Sequence, residues 1–152
     1  MGFSEGMALV RLNKKWGFID QTGKVVIPTQ FDSTINFSEG VAAVKVGEKW
    51  GFIDKTGKMI VEPQFDTTLG FSEGLAAVWK GEEAGYIDRT GKIVIPIQFN
   101  GAGDFSEGLA LARMGDRTGF IDKTGKMVIP PQFSLTWGFS EGLAAVRVND
   151  KW

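Results

Sequence analysis

Short apolar runs broken by polar turn formers set the local structure of this chain. Segments such as 143–148, 50–54 and 126–129 are rich in β-branched and aromatic residues and are bounded by Gly, Asn, Asp or Pro, the signature of strands. No window sustains a helical period. The pattern predicts an all-β chain.

The runs recur. Phe3-Ser4-Glu5-Gly6 returns at 37–40, 71–74, 105–108 and 139–142, each start 34 residues after the last. A fixed period of this size marks supersecondary units that stack on their neighbours. The aligned copies read FSEG-LAAVRV, a polar turn, KWGFID-KTGK-MVIPPQFD and a variable connector of five residues. Repeats occupy 3–36, 37–70, 71–104 and 105–138, with a partial copy at 139–152, and 1–152 is read as a single repeat domain.

Within a repeat, strand A ends in a polar turn at 13–15, 47–49, 81–83, 115–117 and 149–151 and forms a hairpin with strand B. Strand B runs into Asp20-Gln21-Thr22-Gly23-Lys24 and its copies at 54–58, 88–92 and 122–126. There Asp bonds its own backbone two residues on, and Gly takes the positive φ of a three-residue loop closed by a bulge. Strand C meets Pro28, Pro96 or Pro130, or Glu62-Pro63; a missing ladder donor marks a strand end or a bulge. Three antiparallel strands leave the chain pointing opposite to its start. The connector must therefore turn a corner or add a short fourth strand, or successive units must be related by a two-fold screw.

Thirty-four residues are few for a four-stranded propeller blade. The expected fold is an array of three-stranded antiparallel meanders forming an open β-solenoid or superhelix, with a small four- to five-bladed β-propeller as the alternative. All twelve Phe fall in three repeat slots: 3, 37, 71, 105 and 139; 18, 52 and 120, with Tyr86 in the third copy of that slot; and 31, 65, 99 and 133. Rings that recur with the scaffold are predicted core.

Composition then removes function classes. With 152 residues and 43% hydrophobic content, the chain can bury a core without disulfides or metal. A net charge near -1 gives no basic footprint for nucleic acid or an anionic membrane. No stretch has the length and apolarity of a signal peptide or a membrane span, and the compartment stays open. Zero His and zero Cys exclude Ser-His-Asp and Cys-His nucleophile systems. The repeated Glu5, Glu39, Glu73, Glu107 and Glu141 serve a need common to every repeat, whereas a glycosidase needs two carboxylates in unlike environments. They are read as turn residues bonding local backbone. The acidic spacing matches no calcium loop. We expect no catalytic residue, cofactor or metal.

Lys15-Trp16-Gly17-Phe18-Ile19-Asp20, its copy at 49–54, the Thr-Gly-Lys that follows and the Phe-Ser-Glu-Gly lead-in together resemble the bacterial WG (KWG) repeat family over essentially the whole chain. The resemblance implies tandem β-repeats, often joined to other domains, that act as interaction modules, and it brings no catalytic residues. Ala84-Gly85-Tyr86 and Thr118-Gly119-Phe120 depart from the family's Trp-Gly.

Candidate partner-binding residues follow from where copies differ. Trp79 stands in strand A of the repeat that loses its Trp at 84, either as a replacement ring across the hairpin or as a ligand platform. Trp137 lies in the connector 134–138 and either binds or covers the end of the array. Glu82, Glu83, Asp116 and Arg117 occupy the varied tips. The expected function is a non-catalytic scaffold that binds a protein, peptide or glycan through its hairpin tips and the connectors 32–36, 66–70, 100–104 and 134–138. The alternative is an assembly element that forms homo-oligomers through open strand edges at 7–12 or 143–148.

Overall fold

The computed structural model describes residues 2–136, 142, 143, 145–147 and 151, and among them there is no helix. The chain groups into two compact units, Met1–Gly70 and Phe71–Trp152.

In the first unit β1 (Ala8–Leu12), β2 (Lys15–Ile19) and β3 (Val25–Phe31) form one sheet. A second sheet holds β4 (Ser33–Ser38), β5 (Val41–Val46), β6 (Lys49–Asp54) and β7 (Met59–Phe65). The next sheet runs through β8 (Thr67–Ser72), where the division between units falls, β9 (Leu75–Lys80), β10 (Glu83–Ile87) and β11 (Ile93–Phe99). The second unit continues with β12 (Gly101–Ala102), β13 (Leu109–Met114), β14 (Arg117–Asp122) and β15 (Met127–Phe133), and then with the pair β16 (Leu135–Thr136) and β17 (Val146–Arg147). Every sheet is an open antiparallel meander in chain order, and none closes on itself.

Of the ways to restore chain direction, the protein takes the fourth strand. The connector is strand rather than loop: Ser33, Thr34 and Ile35 register with Lys45, Val44 and Ala43 of the following strand A. Ser, Thr and Ile at these positions suit a half-buried pleat. The three-stranded meander read from the sequence thus becomes a four-stranded sheet, and Phe-Ser-Glu-Gly becomes the turn inside it.

The Gly of Trp-Gly-Phe is explained by a bulge. Trp16 registers with Phe31 and Phe18 with Ile27, so Pro28, Thr29 and Gln30 together oppose Gly17. A Cβ on Gly17 would stand 2.5 Å from the Ile27 carbonyl oxygen and 2.8 Å from the backbone of Pro28 and Thr29. The same close approach recurs at Gly51, Gly85 and Gly119. The prolines therefore mark bulges, where the lost donor leaves no ladder bond unmade.

The core of each unit lies between successive sheets. In the first, Phe18, Ile27 and Phe31 meet Phe37, Val44 and Ile53; in the second, Tyr86, Ile95 and Phe99 meet Phe105, Ala112 and Ile121. Phe37 sits edge-on to Phe18 at 4.8 Å and 63°, and Phe105 to Tyr86 at 4.9 Å and 62°, the arrangement that aromatic quadrupoles favour. Each of these rings lies on the ring of the preceding repeat. Phe3 is 50% exposed, against 2% for Phe37; that ring and the partly exposed Phe133 are the described exceptions to the predicted core. Phe139 lies outside the described residues.

The Ser-Glu-Gly turn does more than close a hairpin. Glu5 and Gly6 both take positive φ, 51° and 79°, as a two-residue type I′ turn requires, and Ser4 and Met7 exchange backbone bonds of 2.8 and 3.0 Å. The side chains do not bond local backbone, as the sequence suggested; they reach the next repeat. Ser4 Oγ donates to the Phe37 carbonyl at 2.7 Å, and the Gly40 N–H donates to Glu5 Oε2 at 2.9 Å. In the second unit Ser72 donates to Phe105, and Glu73 and Glu107 accept from Gly108 and Gly142. A left-handed non-glycine residue costs roughly 1–2 kcal/mol, and the bond between repeats helps to offset that cost.

At the strand B to strand C turn, Asp20 Oδ1 accepts from the Thr22 N–H at 2.8 Å, the Thr22 hydroxyl at 2.5 Å and the Lys24 N–H at 3.1 Å, and Gly23 has φ 86°. Asp54, Asp88 and Asp122 repeat the set. The Thr hydroxyl first, with the backbone N–H groups, holds all four carboxyls below the usual Asp range.

Two outcomes are expected. Gly85→Ala lowers stability on the order of 3 kcal/mol, the upper part of the usual overpacking cost, read as a lower urea midpoint; an unchanged midpoint would show that strand C does not lie over strand B. A carboxyl with a depressed folded pKa stabilises the fold above its unfolded value, and that contribution is lost as pH falls through the lower folded value. The urea midpoint is therefore steady from pH 7 to 5 and falls once pH drops below about 3.8, and Asp54→Asn, Asp88→Asn and Asp122→Asn together flatten that fall.

Candidate interaction surface

Four-stranded meanders place their turns at two ends. One end carries the Ser-Glu-Gly and Asp-x-Thr-Gly-Lys turns, whose sequences barely differ between copies. Ion pairs join them: Lys55 lies 4.0 Å from Glu5, and Lys123 3.3 Å from Glu73. Burial of Glu73 acts to raise its pKa, but the Gly108 N–H and Lys123 outweigh it and hold the carboxyl down.

The other end carries the tips between strands A and B and the corners between strand C and the connector. Asn13 and Lys14 both have positive φ at the first tip, whereas Gly47, Gly81 and Gly115, each with φ 64°, begin the others. The first is a type I′ turn and the rest have the glycine that type II′ requires. The tips at 13–15, 47–49 and 115–117 are tied to corners. Asp32 accepts from Lys15 Nζ at 2.5 Å and from the Gly47 N–H at 2.8 Å, while its own N–H donates to the Lys45 carbonyl at 2.9 Å. The Lys15 ammonium, then the Gly47 N–H, hold the Asp32 carboxyl below its usual range. Lys49 pairs with Asp66 in the same way. In the second unit Asn100 Oδ1 accepts from the Gly115 N–H at 2.6 Å, and Arg113 Nε donates to the Gly115 carbonyl at 2.9 Å. These corner residues were not singled out in the sequence; the Asp or Asn that follows Gln-Phe in the first three copies was their signal.

The structure gathers five of the six candidate residues at this end, in the second unit. Trp79 lies on β9, registered with Ala84, and packs half-buried against the core that contains Tyr86 and Ala112. Ala84, the residue opposite it, carries no ring. In the first repeat the same two positions hold Arg11 and Trp16, the guanidinium 5.7 Å from the ring centroid. Glu82 and Glu83 are exposed at the β9–β10 tip. Asp116 and Arg117 are exposed at the β13–β14 tip, 4.0 Å apart. Trp137 lies outside the described residues. Among the described residues each connector contributes a strand, one of the options the sequence left open, though only two residues long in β12 and β16, so the irregular surface narrows to the tips and corners.

Inside the third repeat, the Tyr86 hydroxyl donates to the Gly103 carbonyl at 2.7 Å. Burial, and then the Asp104 carboxylate, push its pKa far up, so it remains a donor. Among the described residues no pocket opens, and no three of His, Cys, Asp or Glu converge as a metal site.

No curated protein sequence matches the chain. Among solved structures, a plant lectin with two metal binding sites from Cicer arietinum is matched at 14% identity and a TM-score of 0.33, covering 77% of this chain and 81% of that one. A plant albumin from Cicer arietinum showing hemagglutination is matched at 14% identity and a TM-score of 0.35, covering 97% and 90%. The family model described as WG containing repeat matches residues 1–16, 16–50, 50–82, 85–117 and 119–152. With every repeat accounted for in this way, the chain belongs to the WG-repeat family.

Proposed function

We propose that the protein is a non-catalytic scaffold that binds a protein, peptide or glycan partner through the end carrying its strand A to strand B tips. The supporting observation is where the copies differ. Lys15, Lys49, Glu83 and Arg117 share one slot, Arg11, Lys45, Trp79 and Arg113 another, and the tip dipeptides Asn13-Lys14, Gly47-Glu48, Gly81-Glu82 and Gly115-Asp116 a third. All flank the tips. The opposite end repeats almost unchanged, because its residues join one repeat to the next. A frame held constant at one end and varied at exposed positions of the other is how a repeat array presents a recognition surface. The equivalent carboxylates in every copy supply no unlike acid and base for catalysis.

The test compares the two ends. With a partner isolated on the wild-type array, alanine at Lys14, Glu48, Glu82 and Asp116 is expected to weaken affinity at least about tenfold, a small sum for several surface contacts, with the thermal midpoint unchanged. Alanine at Gln21, Lys55, Arg89 and Lys123 on the opposite turns leaves affinity within about twofold. The reverse order would place recognition on the opposite end and end this reading.

A further inference from the structure

The corner after strand C pairs opposite charges in the first two copies and reverses both slots in the third. Lys15 and Lys49 stand beside Asp32 and Asp66 and pair with them. In the third copy the first of these slots holds Glu83 and the second Asn100, and the register of Ala84 with Phe99 sets the two side by side at the end of the strand pair. Like charges at neighbouring positions repel, so the amide at 100 accompanies the carboxylate at 83. The amide still serves the corner: Asn100 Oδ1 accepts from the Gly115 N–H at 2.6 Å, as Asp32 Oδ2 accepts from Gly47 at 2.8 Å.

An amide in this corner is open to attack by its own backbone. Asn100 is exposed and precedes Gly101, the one Asn-Gly pair in the sequence. A residue without Cβ leaves its nitrogen the least hindered approach to the preceding side chain. The Gly115 N–H is set against the oxygen that becomes an oxyanion when that nitrogen adds to Cγ, and a backbone donor so placed stabilises charge as it develops. Gly101 begins β12, a two-residue strand at the edge of its sheet, so turning its nitrogen toward Cγ takes only local opening. The other described asparagines lack these features. Asn13 precedes Lys14 and Asn36 precedes Phe37, whose side chains crowd the approach, and the Phe37 N–H itself donates to Asn36 Oδ1 at 2.9 Å.

We propose that Asn100 is a site of self-modification by deamidation. The Gly101 nitrogen bonds to Asn100 Cγ, and the side-chain nitrogen leaves as ammonia with the proton from Gly101, which closes a cyclic imide. Water then opens the imide at either carbonyl and gives aspartate or isoaspartate; the step needs no other reactant. Aspartate keeps the acceptor for Gly115, as Asp32 does for Gly47, but it sets a second carboxylate beside Glu83 in place of the Lys–Asp pair of the first two copies. Isoaspartate adds a methylene to the main chain where the Asn100 and Gly103 N–H groups bond the Arg113 and Leu111 carbonyls, and so slips β12 against β13. Either product alters the end of the second unit that carries Glu82, Glu83, Asp116 and Arg117, independently of what that end binds.

Peptide mapping of the full folded chain, incubated at mildly basic pH, tests the site. Amide-to-acid conversion at Asn100 is expected to run at least about tenfold faster than at Asn13 or Asn36, a modest difference in barrier, with both aspartate and isoaspartate among the products. Gly101→Ala, whose Cβ would stand 3.3 Å from Arg113 Cβ, is expected to slow the conversion at least about tenfold; should it impair folding, the ranking of the wild-type asparagines decides. Asn100→Asp is expected to lower the thermal midpoint, and Glu83→Lys in the same chain to restore it by rebuilding the ion pair of the first copies. An Asn100 that keeps its amide as long as Asn36 does overturns the proposal. An Asn100→Asp chain with an unchanged midpoint overturns the charge clash assigned to the product.

Discussion

The structure depends on one ring lying edge-on against the ring of the repeat before it. A 34-residue meander has too little depth to bury Phe18, Ile27 and Phe31 by itself; it does so because Phe37 and the strands around it close the other side. In the second unit Tyr86, Ile95 and Phe99 are closed by Phe105 in the same manner. Burying a side chain of this size contributes about 1.5–3 kcal/mol, so most of the stability of a repeat sits at its boundary with the next. That is the energetic form of a one-dimensional array, and it accounts for the hydrogen bonds that cross the same boundary.

Much of this was legible in the sequence. The period, the strand content, the Asp-Thr-Gly-Lys turn and the buried status of the internal Phe rows all follow from residue types whose preferences are local. What escaped was long-range. The carboxylate of Glu5 bonds a backbone group 35 residues on, and nothing in Ser-Glu-Gly itself separates that from a bond to its own turn. The connector 33–36 was ambiguous for a related reason: Ser, Thr and Asn serve turns and edge strands alike, and only the free side of strand A makes them a strand. The Gly of Trp-Gly-Phe could be seen to recur, but its cause, the bulged backbone of strand C passing over it, is visible only once the strands are paired.

At the candidate surface the division is similar. Glu82, Glu83, Asp116 and Arg117 could be placed at tips because hairpin tips are exposed by construction. The corner carboxylates could not, since Asp32 gains its role from Lys15 seventeen residues before it and Gly47 fifteen residues after it. Trp79 was legible only as a ring opposite position 84; that it packs half-buried against the core containing Tyr86 depends on the strand pairing.

The staple between turns has a consequence for how such a chain changes in length. Its bonds run from Ser4 and Glu5 to residues 33 and 35 positions later, and the same atoms recur one period on. Excising or duplicating one whole period leaves each serine hydroxyl and each glutamate carboxylate facing a chemically identical acceptor or donor. Gene-level slippage by a full period is therefore structurally silent at the joints, whereas an insertion of another size within a strand shifts its register and the contacts that depend on it.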